Sequence, residues 1–186
     1  MAHTDQAEPT RRDFLYIATG AMGAVGVGSV AWPFIDQMNP DASALALASI
    51  EVDVSAVEEG QSITVQWRGK PVFIRYRTAE EIDAANSVEI EDLPDPLARN
   101  ANLAADAPAT DVNRGAEGKE QWIVQVGICT HLGCVPLGDA GEFNGWFCPC
   151  HGSHYDTAGR IRKGPAPENL LIPPFAFVDD STIKIG

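Results

Sequence analysis

All four cysteines of this 186-residue chain fall between Cys129 and Cys150, and three of its four histidines, His131, His151 and His154, lie in the same region. Cysteines that only fill a core scatter along a chain, whereas thiols and imidazoles bunched in this way read as a metal centre. They form two boxes, CTHLGC at 129–134 and CPCHGSH at 148–154, with 13 residues between them. In each box a cysteine and a histidine are near enough to converge from one tight loop. The fold therefore has to bring two loops together at one end of a frame.

Three ligand arrangements fit the boxes. Two cysteines and two histidines can hold a zinc ion tetrahedrally. Four cysteines can hold an iron–sulfur cluster. In the third arrangement each box gives one thiolate and one imidazole to a two-iron cluster. The remaining two cysteines, one per box, then bond to each other, which implies an oxidising compartment. Only the third uses every residue. His154 lies outside the ligand spacing and reads as a structural or exposed residue.

Residues 14–35, FLYIATGAMGAVGVGSVAWPFI, carry no charge. As a helix they span roughly 30 Å, the thickness of a bilayer core. The glycines within the run are tolerated in membrane helices, and Trp32 suits an interfacial anchor. Arg11 and Arg12 precede the run in TRRDFL, which resembles the twin-arginine export signal used for proteins that cross a membrane already folded. Two arginines before the run and Asp36 after it place the N-terminus in the cytoplasm. The expected organisation is a cytoplasmic tail (1–13), a retained transmembrane anchor (14–38), a flexible hinge (39–49) and an exported head (50–186).

The head is expected to be mostly antiparallel β. IEVDVSAV and ITVQWRG alternate apolar and polar residues. KPVFIRYRT follows Gly69, with Pro71 marking a strand start or an edge. QWIVQVGI at 121–128 is the strongest strand and runs into Cys129, and STIKI closes the chain. Between strands, residues 78–120 hold 11 acidic and 3 basic residues and include a helical stretch, TAEEIDAA. They read as a surface excursion. A net charge of −13 excludes nucleic acid as a partner.

The two boxes, extended to CPCHGSHYD at 148–156, closely resemble the cluster-binding boxes of Rieske proteins. The spare pair Cys134 and Cys150 narrows the likeness to the quinol-oxidising type, and GPAPENL at 164–170 is similar to the proline-rich loop that covers the cluster there. With TRRDFL and the apolar helix, the chain resembles the Rieske subunits of bacterial ubiquinol–cytochrome c oxidoreductases. Periplasmic oxidoreductases such as arsenite oxidase, whose small subunit shares the export signal and boxes, are the alternative.

The resemblance implies a small Rieske-type β-sandwich head with a cluster-binding subdomain at about 125–170 and one [2Fe–2S] cluster. Cys129 and Cys148 would ligate the buried iron, and His131 and His151 the outer iron that changes redox state. Cys134 and Cys150 would form a disulfide. Ser153 would donate to a bridging sulfide and Tyr155 to the Cys129 sulfur, both raising the reduction potential. Leu132 and Gly133, with the cover residues Gly164, Pro165, Ala166 and Pro167, would face a docking partner. Arg160, Arg162 and Lys163 would position that loop or solvate a turn. His151 would be the catalytic residue, accepting a proton from ubiquinol. The implied partners are the cytochrome b and cytochrome c subunits of a dimeric inner-membrane complex that couples electron transport to proton translocation.

Overall fold

The computed structural model describes residues 10–39 and 48–186, which fall into two units, one ending at Leu45 and one beginning at Ala46. The expected hinge at 39–49 therefore lies outside the described residues except at its two ends, as does the tail before Thr10.

In the first unit, helix α1 (Arg11–Asp36) begins earlier than the apolar run predicts. Thr10 caps it reciprocally with Asp13: the Thr10 hydroxyl accepts the Asp13 N–H, and the Asp13 carboxylate accepts the Thr10 N–H. Arg11 and Arg12 are thus its first two helical residues. Pro33 sits in the last turn, and the helix ends at Asp36, three residues ahead of Asn39. No described side chain of α1 is buried, as suits a helix whose apolar surface faces lipid.

The second unit is built on three antiparallel sheets. Strands β1 (Ile50–Asp53), β10 (Thr182–Ile185) and β9 (Phe175–Phe177) form one, in the order β1-β10-β9. Strands β2 (Ser62–Trp67), β3 (Lys70–Tyr76) and β4 (Trp122–Val126) form the second, with β3 central. Strands β5 (Leu137–Ala140), β6 (Asn144–Cys148), β7 (Ser153–Asp156) and β8 (Ile161–Lys163) form the third in sequence order. Pro71 lies at the start of the central strand rather than on an edge. It pairs with Gln66 of β2, and its carbonyl accepts the Gly127 N–H at 2.8 Å just beyond the β3–β4 ladder, which begins at Val72.

The period of two along β3 and β4 explains how three sheets share two cores. Val72, Ile74, Trp122 and Val124 face the first sheet and pack with Val54, Trp67, Ile183 and Ile185. Tyr76 stacks on Trp122, with ring centroids 4.6 Å apart. Phe73 and Ile123 face the other way, toward Trp146, Tyr155, Ile161 and Leu170 of the third sheet and its flanks. All of β4 is buried because it is covered on both faces. The cluster boxes grow from this second core.

The stretch 78–120 is more than a surface excursion. It begins with α2 (Ala79–Asn86), capped by Thr78 and Glu81, and includes the short α3 (Asp111–Arg114). Its residues Asp95, Ala98, Ala109, Asp111, Arg114 and Ala116 are buried. Arg77 pairs with Asp111 in the interior. Arg114 donates to the carbonyls of Ala98, Ala158 and Gly159, so this stretch is stitched to the third sheet by a fully buried guanidinium. Burial pulls Arg114 down to about 9, with Asp156 nearby opposing the shift, so it stays charged at neutral pH.

Candidate metal centre

The two boxes fold into matching loops. After β4, the Cys129 carbonyl accepts the Gly133 N–H at 2.9 Å; after β6, the Cys148 carbonyl accepts the Gly152 N–H at 3.0 Å. Both glycines have positive φ, +81° and +76°, which a residue with a Cβ adopts only at a cost. Each loop is therefore closed by a glycine four residues after its first cysteine. The Cys129 N–H donates to the Cys134 carbonyl at 2.7 Å, tightening the first loop further.

Cys129 and Cys148 are buried at the back of the site, while His151 is exposed and His131 half-buried at the front. The two imidazoles meet edge to face, with centroids 4.6 Å apart and planes at 87°. His131 Nδ1 is buried and has no hydrogen-bond partner among the described residues. A buried nitrogen left without a partner is costly unless it is a ligand.

The surroundings of Cys129 ease its ionisation. Burial pushes its thiol up, but the Tyr155 hydroxyl, the His131 N–H, the Cys148 thiol and the Ser153 hydroxyl outweigh burial and bring it below the ordinary range. The neighbouring Cys148 is pushed up, first by burial and then by Cys129. Tyr155 donates to Cys129 Sγ at 3.3 Å, and its own ionisation is pushed well up by burial and by that sulfur. The Ser153 hydroxyl accepts the Ala166 N–H at 3.3 Å, leaving its proton to turn toward Cys129.

The other two cysteines, Cys134 and Cys150, are neighbours, and the Sγ atoms of Cys134, Cys148 and Cys150 lie within 4.8 Å of one another. The residues fit a two-iron cluster: adjoining thiols behind, adjoining imidazoles in front, one buried imidazole nitrogen unbonded among the described residues, and donors gathered on a sulfur.

The remaining predicted residues fall around this centre. Leu132 is 69% exposed beside the histidines, with Gly133 also exposed. The loop 164–170 lies over the second box: a Cβ at Gly164 would collide with the Gly152 carbonyl. Ala166 is buried in the loop, whereas Pro165 and Pro167 are exposed. His154 accepts the Glu142 N–H at 3.1 Å, a structural role. The basic trio divides. Arg160 is fully buried against Asp156, Arg162 lies over the Phe143 ring, and Lys163 pairs with Glu142 at the surface. Sequence reasoning passed over Thr130, whose hydroxyl donates to the Glu168 carbonyl at 2.7 Å and accepts the Glu168 N–H at 3.3 Å. It ties the first box to the cover loop; a threonine between two ligand positions was the available signal.

This is the site and the head of a Rieske-type iron–sulfur protein, carried behind a single membrane-spanning helix. A family model described as "Rieske [2Fe-2S] domain" matches residues 93–176, and one described as "Ubiquitinol-cytochrome C reductase Fe-S subunit TAT signal" matches residues 1–41. The ubiquinol–cytochrome c reductase iron–sulfur subunit of Cereibacter sphaeroides is 57% identical over all of both chains. That of Rhodobacter capsulatus is 58% identical, again over all of both chains. A solved hyperthermophilic respiratory Complex III chain is 27% identical, with a TM-score of 0.49 over 90% of this chain and 98% of that one. The chain belongs to the family of ubiquinol–cytochrome c reductase iron–sulfur subunits. It is a single-pass inner-membrane protein with its head on the periplasmic side and a [2Fe–2S]-type cofactor.

Proposed function

We propose that the head, through its subdomain at about 125–170, takes one electron and one proton from ubiquinol and delivers the electron to the cytochrome c subunit of a cytochrome bc complex. The observation that carries this reading is the pair of perpendicular imidazoles at the surface with thiols buried behind them. When bound, the cluster supplies one-electron redox chemistry at an iron held by those imidazoles.

Cys129 and Cys148 would hold the cluster from the buried side, with the Tyr155 and Ser153 hydroxyls donating toward Cys129. His131 and His151 would hold it from the exposed side, each through one ring nitrogen. The second nitrogen of the exposed His151 accepts a hydrogen bond from a quinol hydroxyl and takes its proton as the electron leaves. Leu132 and Gly133 offer an apolar rim for docking on the cytochrome b subunit. In the exported head Cys134 and Cys150 close a disulfide, joining the two loops that supply the ligands. The working assembly is a dimer of the complex.

Low-temperature EPR of membranes reduced only with ascorbate tests the reading. A Rieske signal that shifts when a quinol-site inhibitor is added is expected. An ascorbate-reducible signal indifferent to inhibitor would overturn the quinol role, and no signal after dithionite would overturn the cluster.

A further inference from the structure

The loop that covers the site is itself held down from outside, by the acidic stretch that the ligand boxes leave unexplained. Asp95 is 3% exposed and meets Asn169 at the end of the cover loop: its Oδ2 accepts the Asn169 N–H at 2.9 Å, and its carbonyl accepts the Asn169 side-chain amide at 3.0 Å. That amide also donates to the Leu97 carbonyl at 2.8 Å, and the Asn169 side-chain oxygen accepts the Ile161 N–H at 2.8 Å. Asn169 is thus bonded at every polar group of its side chain, between β8 on one side and 95–97 on the other.

Arg99 completes the contact. Its guanidinium pairs with Asp95 at 2.9 Å and reaches Glu168 at 3.2 Å. Its backbone is left-handed, with φ +49°, which a β-carbon disfavours and which persists only where surroundings hold it. The surroundings do so: the Arg99 carbonyl accepts the Ile172 N–H at 2.9 Å, and the Ala101 N–H donates to the Ile172 carbonyl at 3.0 Å. The segment 95–101 therefore grips 168–172 at three successive places. On its inner side the same loop touches the two boxes, through Ala166 on Ser153 and Glu168 on Thr130. Thr130 in turn donates its N–H to the Tyr155 hydroxyl at 3.3 Å.

We propose that 95–101 is a strap across the cover loop, and that Asp95 and Arg99 are positioning residues which, through that loop, hold the Ser153 and Tyr155 donors in place and so set the reduction potential of the site. Neither residue touches the ligands. Both act by limiting how far 164–170 lifts. The inference rests on the cluster reading above for its effect on potential, but the strap itself does not.

The test uses the intact complex with Arg99→Gln and Asp95→Asn. Two quantities are read, amide exchange across 164–170 and the midpoint potential by EPR titration. Both variants are expected to speed exchange at 164–170 several-fold, leave exchange in β2–β4 unchanged, and lower the potential. Should Asp95→Asn fail to accumulate, Arg99→Gln, whose side chain is one-third exposed, decides alone. Unchanged exchange in Arg99→Gln would overturn the strap. A shifted potential with unchanged exchange would mean a charge effect only, which also overturns it. Absence of a Rieske signal from the unmodified complex would sink the cluster reading instead, and the exchange data would still judge the strap.

Discussion

Tyr155 lies fully buried with its hydroxyl 3.3 Å from Cys129 Sγ, to which it donates. Because the donor bonds more strongly to a more negative sulfur, it favours the reduced state of a cluster held there. Tyr155→Phe removes the proton and keeps the ring. A bond stronger by ~1.4 kcal/mol to the reduced than to the oxidised site corresponds to about 60 mV for a one-electron couple, which is the expected fall in midpoint potential. EPR-monitored titration measures it, and a potential within error of the parent would show that the contact carries no redox weight.

Thr130 bonds to both backbone groups of Glu168 and so pins the first box to the cover loop. Thr130→Val is nearly isosteric and removes both bonds. A loss of roughly 1–2 kcal/mol is expected, since Glu168 is exposed and water replaces part of what is lost. The readout is the temperature at which the cluster's visible absorption disappears, which should fall by several degrees. Thr130→Ser, which retains the hydroxyl, should restore most of it.

Arg160 donates to the Asp156 carboxylate at 2.8 Å and to the carbonyls of Ala85 and Ala109, all in the interior. It fastens β7 and β8 to the acidic stretch. Arg160→Met leaves Asp156 without its closest cation, and a destabilisation of ~3–5 kcal/mol is expected. Cluster-loaded protein in membranes should drop sharply. Normal yield and normal urea resistance would show that Arg162, 3.7 Å from Asp156, takes over.

How much of this was legible in the sequence depended on how locally each feature was encoded. The period of two in ITVQWRG and the apolar run of QWIVQVGI announced β2 and β4, and TAEEIDAA announced α2 with its Thr78 cap. The two boxes were legible as a candidate site because Cys129 and His131, and Cys148 and His151, each sit on one short loop. The interior arginines were not. Arg77 reaches Asp111 and Arg114 reaches Ala158, partners 34 and 44 residues away that no window contains. The acidity of 78–120 suggested solvent, yet Asp95 and Asp111 are buried because each has an arginine to meet. Composition records the charge and not its partner.

That same Asp95 makes acid stability of the strap a sharp prediction. Burial pushes its carboxyl up, but donors from Arg99, Asn169 and Leu97 outweigh burial and hold it below the usual carboxylate range. A depressed folded-state value means that the stabilisation is complete above the unfolded value, ~3.9, and is lost as pH falls through the lower folded value. Between neutrality and about pH 5, Asp95 therefore contributes no pH dependence. Below pH ~4, protection of the amides at 168–172, measured against their intrinsic exchange rate at each pH, should fall as the carboxyl protonates and the Arg99 pair is lost. Asp95→Asn should already exchange fast at neutral pH and show a flatter acid limb over the same range. An acid limb identical in parent and variant would assign that instability to other carboxylates.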